Sequence, residues 1–471
     1  MSAQSGPPLD HPTFAIVGHP NKGKSSIVAT LAEDESVAIS PDPGTTQIAR
    51  SFRMRVDDRV LYELFDTPGF QRPRAVLEWL RRHERGADAR PQVVGEFVAA
   101  HASEARYRNE VELLHPILAG AGVLYVVDGA HPYGAEYEPE MEVLRWTGQP
   151  RMALINMIGP GDYVEEWRRA LNQYFSIVRI FDAQRADFSK RLELLRAFRE
   201  LGEGDERFTA ALDDAVRILE SDRKERRRRA ASEIADLLID VLSWREHAPA
   251  PEDANQAELV ETLSARLMSR VRQREQIARR VVQDLYHHGA LETQEQTINV
   301  LAEDLFSERS FQVFGLSTKQ LAMTGAATGA VAGGVIDVAA GGASLLLGAG
   351  LGALLGGVGA VFGANRLAKV QVLGAPMGGM RLQVGPITTP NFPWVMLGRA
   401  LLHHRLIAER NHARREALVV DAIADAHLSG SIEPEIRKRM ARAFKRVRDD
   451  GGLSANERDQ LRADIEANLE G

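Results

Sequence analysis

The feature that most constrains the fold is a loop, Gly18-His19-Pro20-Asn21-Lys22-Gly23-Lys24-Ser25, which fits G-x-x-x-x-G-K-[ST] at every fixed position. It follows a short apolar run, residues 14–17, and precedes a helix-forming run, residues 26–32. A phosphate chain needs many N–H donors aimed into one concavity, and a strand–loop–helix context supplies them. The alternative is a glycine-rich turn without a ligand, but the context favours a nucleoside triphosphate site.

Each fixed position of the loop has a physical purpose. Gly18 and Gly23 allow the chain to turn tightly around phosphate, and Lys24 supplies charge for the outer phosphates. The Ser25 hydroxyl is placed to bind Mg²⁺, and the following helix adds its positive N-terminal end. The predicted nucleotide-binding residues here are Gly18, Asn21, Lys22, Gly23, Lys24, Ser25 and Ser26.

Composition sets outer limits on what the chain does. Its 471 residues are enough for two to four domains, and the net charge of −7 provides no overall basic field for nucleic acid. The chain has no cysteine, which excludes disulfides and thiolate chemistry and suits a reducing cytoplasm. Residues 1–12 lack a charged-then-apolar pattern, so we expect a flexible tail rather than a secretory signal.

A second pair of motifs follows the loop. Residues 40–46 cluster turn residues and end in Gly44-Thr45-Thr46. Two strand-like runs, residues 49–56 and 60–65, are joined by Asp57-Asp58 as a tight hairpin. The second run ends in Asp66-Thr67-Pro68-Gly69, an acid at a strand tip followed by glycine. This suits a Mg²⁺-linked carboxylate at Asp66 and a Gly69 N–H facing the γ-phosphate.

These motifs together resemble the TrmE–Era branch of bacterial G domains in the translation-factor class. The resemblance implies an α/β P-loop G domain, a mostly parallel sheet with helices on both faces, over residues 13–201. It implies GTP and Mg²⁺ as ligands and GTP hydrolysis as the reaction. In that family a threonine of the first switch closes on Mg²⁺ and the γ-phosphate, a role that fits Thr46 best and Thr45 next.

Residues 71–120 are expected to form a helical insertion, with helices at 74–82 and 93–118. Buried strands are expected after it, at 123–128 and 152–155.

The chain departs from the family at the base-binding motif. Asn156 stands where the family has Asn-Lys-x-Asp, but Met157, Ile158 and Gly159 follow it. Asp162 is the nearest substitute carboxylate, and Met157 could cover the base. After the last strand, residues 177–181, the resemblance assigns the Ala183 N–H to the base oxygen. We therefore expect weakened guanine preference.

The catalytic set inferred from the resemblance is Lys24, Thr46 and Gly69. Many G proteins hold the attacking water with a Gln after Asp-x-x-Gly, but this chain has Phe70 there. In TrmE-like domains an Asn of the phosphate loop binds K⁺, and Asn21 occupies that position. The alternative for Asn21 is stabilisation of its own turn.

The second half is predicted to be mainly α-helical. We expect a charged helical region at 202–320, a glycine-rich apolar hairpin at 321–366 and a strand and helix region at 367–471, with a strand at 380–384 and helices at 394–427 and 433–470. The basic run 223–229 is typical of a solvated helix face. The pairs His287-His288 and His403-His404 suggest a metal site, but adjacent helical residues point about 100° apart and do not easily share one ion, so we interpret them as surface histidines.

The hairpin is the second informative stretch. Residues 323–364 contain almost only Gly, Ala, Leu and Val, with glycine at every fourth position in two runs. Such spacing lets helix backbones approach closely, and residues 338–364 are long enough to cross a bilayer. A hairpin buried in a water-soluble domain is the alternative. We expect membrane association.

The sequence therefore predicts a GTPase switch coupled to a membrane-associated helical effector domain. The expected partners are GTP and GDP, a membrane or membrane protein contacted through 323–364, and a second copy in a dimer, with nucleic acid unfavoured. The expected location is cytoplasmic at the inner membrane. A ribosome- or RNA-acting GTPase and a nucleotide-binding membrane scaffold with little turnover are the alternatives.

Overall fold

The structure is a computed structural model that describes residues 11–33, 48–202, 205–250, 255–287, 301, 304–324, 368–374, 380–409 and 431–469. The chain divides into two compact units, residues 1–223 with 409–416, and residues 224–408 with 417–471. The division falls at Arg223 and Lys224, inside one helix.

The first unit is built on a six-stranded sheet. In chain order the strands are β1 (Thr13–Val17), β2 (Arg50–Val56), β3 (Arg59–Asp66), β4 (Gly122–Asp128), β5 (Arg151–Asn156) and β6 (Ile177–Ile180). Their spatial order is β2-β3-β1-β4-β5-β6, and only the β2–β3 pair is antiparallel. The predicted mostly parallel sheet is confirmed, including the hairpin connection at Asp57, whose φ is 50°.

The helices of this unit cover both faces of the sheet. They are α1 (Lys24–Ala32), α2 (Pro73–Arg82), α3 (Arg90–His101), α4 (Arg108–Leu118), α5 (Glu138–Trp146), α6 (Val164–Leu171) and α7 (Phe188–Leu201). One apolar core contains Phe14, Ile27 and Phe198, and a second, on the other side of the sheet, contains Phe97, Tyr125 and Trp167. β4 alternates between them, so both of its faces are buried.

The insertion differs from the prediction at one point. A continuous helix was expected over 93–118, but α3 ends at His101 and α4 begins at Arg108. Between them the chain makes a short turn in which the rings of His101 and Tyr107 lie 4.7 Å apart. Burial of these two rings against Phe97 fixes the bend, and a helical pattern alone does not reveal it.

The second unit is mainly helical. Its helices are α8 (Glu206–Ser243), which begins in the first unit, α9 (Gln256–Leu285), α10 (Glu308–Phe314), α11 (Thr318–Met323), α12 (Phe392–Ala408), α13 (Pro434–Asp450) and α14 (Ala455–Ala467). A small antiparallel sheet has the order β7-β9-β8, with β7 (Glu246–Pro249), β8 (Ala368–Gly374) and β9 (Met380–Ile387). β9 confirms the predicted strand. The helix expected over 433–470 is two helices, separated at Gly451, whose φ of 80° suits the end of α13.

Two other sequence-based expectations concern residues of the second half of the chain. His403 and His404 are each 3% exposed, so their interpretation as surface histidines is wrong. Both histidines pack into the core because α12 is apolar around most of its circumference, and the Tyr286 hydroxyl lies 2.8 Å from His404 Nε2. The basic run 223–229 lies inside α8, and Arg226 is buried.

The glycine-rich hairpin lies almost wholly outside the described residues, which resume at 368. Among the helices that the structure describes, none has the length and apolar character needed to cross a membrane.

Candidate nucleotide-binding site

The phosphate loop connects β1 to α1 with the backbone that its glycines permit. Gly18 has φ 139° and Gly23 has φ 82°, conformations that disfavour a side chain. A Cβ on Gly18 would lie 2.4 Å from the Val126 carbonyl oxygen, so only glycine fits beside β4. Asn21 adopts φ 60° and is exposed, which its short polar side chain tolerates.

Lys24 folds back over its own loop. Its Nζ donates to the carbonyl oxygens of Gly18, at 3.2 Å, and His19, at 3.0 Å. Burial lowers the pKa of Lys24 to about 8, although the negative charges of Asp66 and Glu140 oppose that shift. Among the described residues, the ammonium is bound to backbone carbonyls of the loop, which a phosphate can replace.

Ser25 and Asp66 meet as their predicted role in Mg²⁺ binding requires. The Ser25 hydroxyl donates to Asp66 Oδ2 at 2.8 Å. The parallel register that places Ile16 beside Asp66 brings the end of β3 to the start of the loop. A hydroxyl and a carboxylate are hard oxygen ligands of the kind that Mg²⁺ prefers, so these residues fit the predicted ion.

The Asp-Thr-Pro-Gly segment is tied to both the loop and the insertion. Thr67 Oγ1 donates to the Ile16 carbonyl at 2.7 Å, and a Cβ on Gly69 would meet Pro20 at 2.7 Å. Phe70 is 1% exposed in the core, so its ring cannot position a water molecule. Gly69 therefore lies against the phosphate loop, where its predicted contact with the γ-phosphate would be made.

Two buried glutamates support this site, and the sequence analysis missed both. Glu110 of α4 is 0% exposed, and its Oε1 accepts hydrogen bonds from the backbone N–H groups of Gln71, at 2.9 Å, and Arg72, at 2.6 Å. Glu140 of α5 is also 0% exposed and lies 2.9 Å from His19 Nδ1. A glutamate in a charged helical stretch gives no sequence signal that it is buried.

Asn156 connects three loops at the carboxyl end of the sheet. Its Nδ2 donates to the Lys22 carbonyl at 3.2 Å, and its Oδ1 accepts from the Ala183 N–H at 3.1 Å. The predicted base contact of Ala183 would replace this second hydrogen bond. Asn156 thus holds the phosphate loop and the loop after β6 in register.

The segment after Asn156 turns away from β6. A Cβ on Gly129 would meet Met157 Sδ at 2.6 Å, and a Cβ on Gly161 would meet the Ala130 carbonyl at 2.1 Å. Met157 therefore packs toward β4 rather than over a base. Asp162, the proposed substitute carboxylate, is exposed and accepts from the Val164 N–H at 3.4 Å.

The remaining predicted residues are placed as follows. Lys22 Nζ lies 3.7 Å from Asp128 Oδ2 at the tip of β4. The Ser26 carbonyl accepts from Thr30 Oγ1 at 2.9 Å. Thr45 and Thr46 lie outside the described residues. The structure thus brings together Gly18, Asn21, Lys22, Gly23, Lys24, Ser25, Ser26, Asp66, Gly69, Asn156 and Ala183 at one edge of the sheet.

The fold and this site define a P-loop G domain. Residues 13–157 match the family described as 50S ribosome-binding GTPase, which supports the G domain of the Era and Der type. Residues 168–470 match a second family, a domain of unknown function (DUF3482), over more than half of the chain. The chain belongs to the DUF3482 family.

Curated relatives share only a short segment with this chain. GTPase Der of Nitrosospira multiformis is 41% identical over 73 residues, 16% of each chain. GTPase Der of Aquifex aeolicus is 44% identical over 59 residues, 12% of this chain and 13% of that one. The chain thus spans about a sixth of the length of the Der relatives it matches.

Two solved structures are similar to this chain, each with a low TM-score. Era in complex with MgGDPNP and a segment of 16S ribosomal RNA gives a TM-score of 0.29 at 18% identity, over 40% of this chain and 55% of that one. A variant of Aquifex aeolicus Era bound to GDP and aluminium fluoride gives 0.30 at 16% identity, over 53% and 76%.

Proposed function

We propose that this chain binds and hydrolyses GTP and acts as a nucleotide switch. The observation that carries the proposal is the hydrogen bond between Ser25 and Asp66 beside a phosphate loop whose own carbonyls bind the Lys24 ammonium. The match of residues 13–157 to a GTPase family and the identity to Der support guanine nucleotide as the ligand.

The groups around the loop suit binding of a triphosphate. Lys24 exchanges its two carbonyl partners for phosphate oxygens, which carry negative charge and so add an ion-pair attraction that the neutral carbonyls lack. Ser25 and Asp66 would hold Mg²⁺, with Thr46 from the first switch. When bound, Mg²⁺ neutralises charge on the phosphate oxygens. Gly69, which lies against Pro20 of the phosphate loop, would supply its backbone N–H to the γ-phosphate.

Turnover in this proposal depends on a monovalent cation. Phe70 is buried and cannot orient water, so in this proposal hydrolysis relies on stabilisation of the charge that develops on the phosphates. Asn21 carries an exposed carboxamide in a left-handed backbone conformation at the rim of the loop, which leaves its oxygen accessible to K⁺. K⁺ beside the β- and γ-phosphates would stabilise the charge that develops during hydrolysis.

The switch acts on the helical half of the chain. In this proposal the γ-phosphate orders the first switch and the segment 66–72, and α2 to α4 transmit the change. The glycine-rich stretch 323–364 supports a membrane or membrane-protein partner at the inner membrane, and a dimer is the proposed assembly. A second candidate function, action on the ribosome, is favoured by the description of the family that matches residues 13–157.

Hydrolysis and location test these proposals separately. Phosphate release from GTP should require Lys24, should be faster in K⁺ than in Na⁺, and should lose that difference in Asn21→Ala. Equal rates in the two salts would refute the potassium role, and no release in either would refute hydrolysis. Sedimentation of the full chain from cell extract with membranes at high salt supports the membrane partner. Sedimentation with ribosomes supports the second candidate.

A further inference from the structure

The carboxylates around the expected base position are all engaged elsewhere. Among the residues that the structure describes after β4, β5 and β6, Asp128 lies 2.6 Å from His131 Nδ1. Asp162 accepts from the Val164 N–H at 3.4 Å. Asp182 accepts from the N–H groups of Gln184 and Arg185, and Asp187 caps α7 by accepting from the Lys190 N–H. Each of these four carboxylates already has a protein partner, so the N1–H and 2-amino group of guanine would have to share or displace an existing contact.

The backbone donors of the loop after β6 are engaged as well. The Ala183 N–H donates to Asn156 Oδ1, and the Gln184 and Arg185 N–H groups donate to Asp182 Oδ1. The Ala186 N–H donates to the Asp182 carbonyl at 2.8 Å. A base oxygen at C6 would therefore gain a hydrogen bond only by breaking one that the protein already makes, so the net preference for that oxygen is small.

The aliphatic side chain of Ile158 lies beside the phosphate loop. Ile158 is 47% exposed, and its Cδ1 lies 3.5 Å from where a Cβ on Gly23 would be. Its neighbour Met157 packs toward Gly129, and a Cβ on Gly159 would point at Ala130 Cβ, 3.3 Å away. Of this segment, Ile158 is thus the side chain directed at the nucleotide loop, where it offers an apolar surface to the flat face of a base.

We infer that the site binds purine nucleoside triphosphates through the apolar face of the base, with Ile158 as the platform, and does not select guanine by its exocyclic groups. The inference rests on the proposed triphosphate site and names its substrate class. Loss of the 2-amino group removes one hydrogen bond to a charged acceptor in a selective site, which is worth about tenfold or more in affinity. Here that loss should have almost no effect.

The test titrates the full-length protein with GTP, ITP, XTP and ATP in Mg²⁺. We expect GTP and ITP to bind within about threefold, and ATP and XTP within about tenfold of GTP, because no protein group is reserved for the substituents that differ. GTP that binds more than about thirtyfold tighter than ITP would overturn the inference. Absence of binding by all four, in wild type and Lys24→Ala alike, would instead refute the triphosphate site.

Ile158→Ala tests the platform. We expect it to weaken all four nucleotides by a similar factor of about three to ten, since it removes apolar contact common to every purine. Ile277→Ala, at an isoleucine of α9 that is 53% exposed, is the matched control and should leave all four affinities unchanged. Unchanged affinities in a folded Ile158→Ala variant, or a loss confined to GTP, would overturn the role of Ile158.

Discussion

The Ser25 hydroxyl and Asp66 Oδ2 are 2.8 Å apart, although 41 positions separate the two residues in the chain. The parallel pairing of β1 with β3 sets this distance, because it carries the end of β3 to the start of α1. The two side chains are therefore held together by the sheet before any ion or nucleotide arrives. This preorganisation is the basis of the first prediction.

Ser25→Ala and Asp66→Asn should weaken GTP binding in Mg²⁺ by about tenfold to a hundredfold, because each removes a hard oxygen ligand or its charge. Binding in EDTA should change much less. Fluorescent-nucleotide titration with and without Mg²⁺ measures both. Ser103→Ala, at an exposed serine of the insertion, is the control. An equal loss with and without Mg²⁺ would contradict the assignment of these residues to the ion.

The pKa of Lys24, lowered to about 8 by burial, predicts opposite pH trends for binding and stability. A bound triphosphate favours the protonated ammonium, so affinity should fall above pH 8, by at most about tenfold per pH unit. Without nucleotide, the unfolded chain keeps this proton up to its ordinary pKa of 10.5 while the folded chain loses it near 8. Its contribution to stability therefore rises between these values.

Lys24→Met isolates the contribution of this one lysine, because other groups also titrate over that range. Urea denaturation measures the unfolding free energy of wild type and Lys24→Met from pH 7.5 to 10.5. The stability of wild type relative to Lys24→Met should increase as the pH rises over this range. The pH dependence of GTP affinity, measured on the wild type, should bend near pH 8. A flat affinity profile across this range would show that Lys24 does not contact the phosphates.

Glu110 is expected to couple the insertion to the segment that follows Gly69. Its carboxylate accepts from the Gln71 and Arg72 N–H groups at the start of α2. Glu110→Ala removes this shared acceptor from both backbone donors. We expect a loss of about 1–3 kcal/mol in local stability. Hydrogen exchange of residues 71–76 should accelerate, and GTP hydrolysis should fall more than GTP affinity.

Glu78→Ala is the matched control, since Glu78 is an exposed residue of α2 whose ion pair with Arg82 is 3.5 Å long. That variant should exchange and hydrolyse as wild type does. An equal acceleration of exchange across all of α3 and α4 in Glu110→Ala would point to general unfolding of the insertion instead.

In the second unit, a buried ion pair should dominate the response to substitution. Arg399 Nε donates to Glu275 Oε1 at 2.7 Å, and its other nitrogens donate to Ser310 Oγ and the Leu301 carbonyl, both at 3.0 Å. Glu275→Ala removes the carboxylate that is hydrogen-bonded to this buried guanidinium, so we expect a loss of about 3–5 kcal/mol in unfolding free energy. The double variant Glu275→Leu with Arg399→Met should recover much of that loss.

The ion pair of Glu275 and Arg399 also predicts how the stability of the protein changes at acid pH. Burial alone would raise the pKa of Glu275, but the charges of Arg279 and Arg399 outweigh it and lower that pKa. A carboxyl with a depressed folded pKa stabilises the fold above its unfolded pKa, about 4.3, and loses that contribution as pH falls below it. Denaturation midpoints between pH 6 and pH 3 should therefore converge for wild type and the double variant. A constant difference would contradict this.

Much of the nucleotide site follows from local sequence. The loop Gly18–Ser25 and the Asp66–Gly69 segment each carry their residues at fixed spacing, so strand, turn and helix could be placed from the pattern alone. The mostly parallel sheet was implied by the resemblance of these motifs to the TrmE–Era branch of G domains. The approach of Ser25 to Asp66 was expected for this reason.

Contacts between distant segments had no such signal. Glu110 and Glu140 lie in helices where a glutamate ordinarily faces water, and only packing shows that both are buried. The short strand β7 pairs with β9 from across the second half of the chain, with Ala248 opposite Leu382. Pro249 ends β7 and Pro251 follows it, and prolines favour a break in a helix without indicating a strand partner.

The sequence by itself determined that the chain carries a phosphate loop, because loop chemistry depends on residues adjacent in the chain. It also showed that the base motif after Asn156 is incomplete. Only the tertiary structure decided what replaces that motif, since Met157 turns toward Gly129 and Ile158 toward Gly23. Side-chain direction in a loop depends on which neighbouring strands leave space, and that space exists only after the sheet has formed.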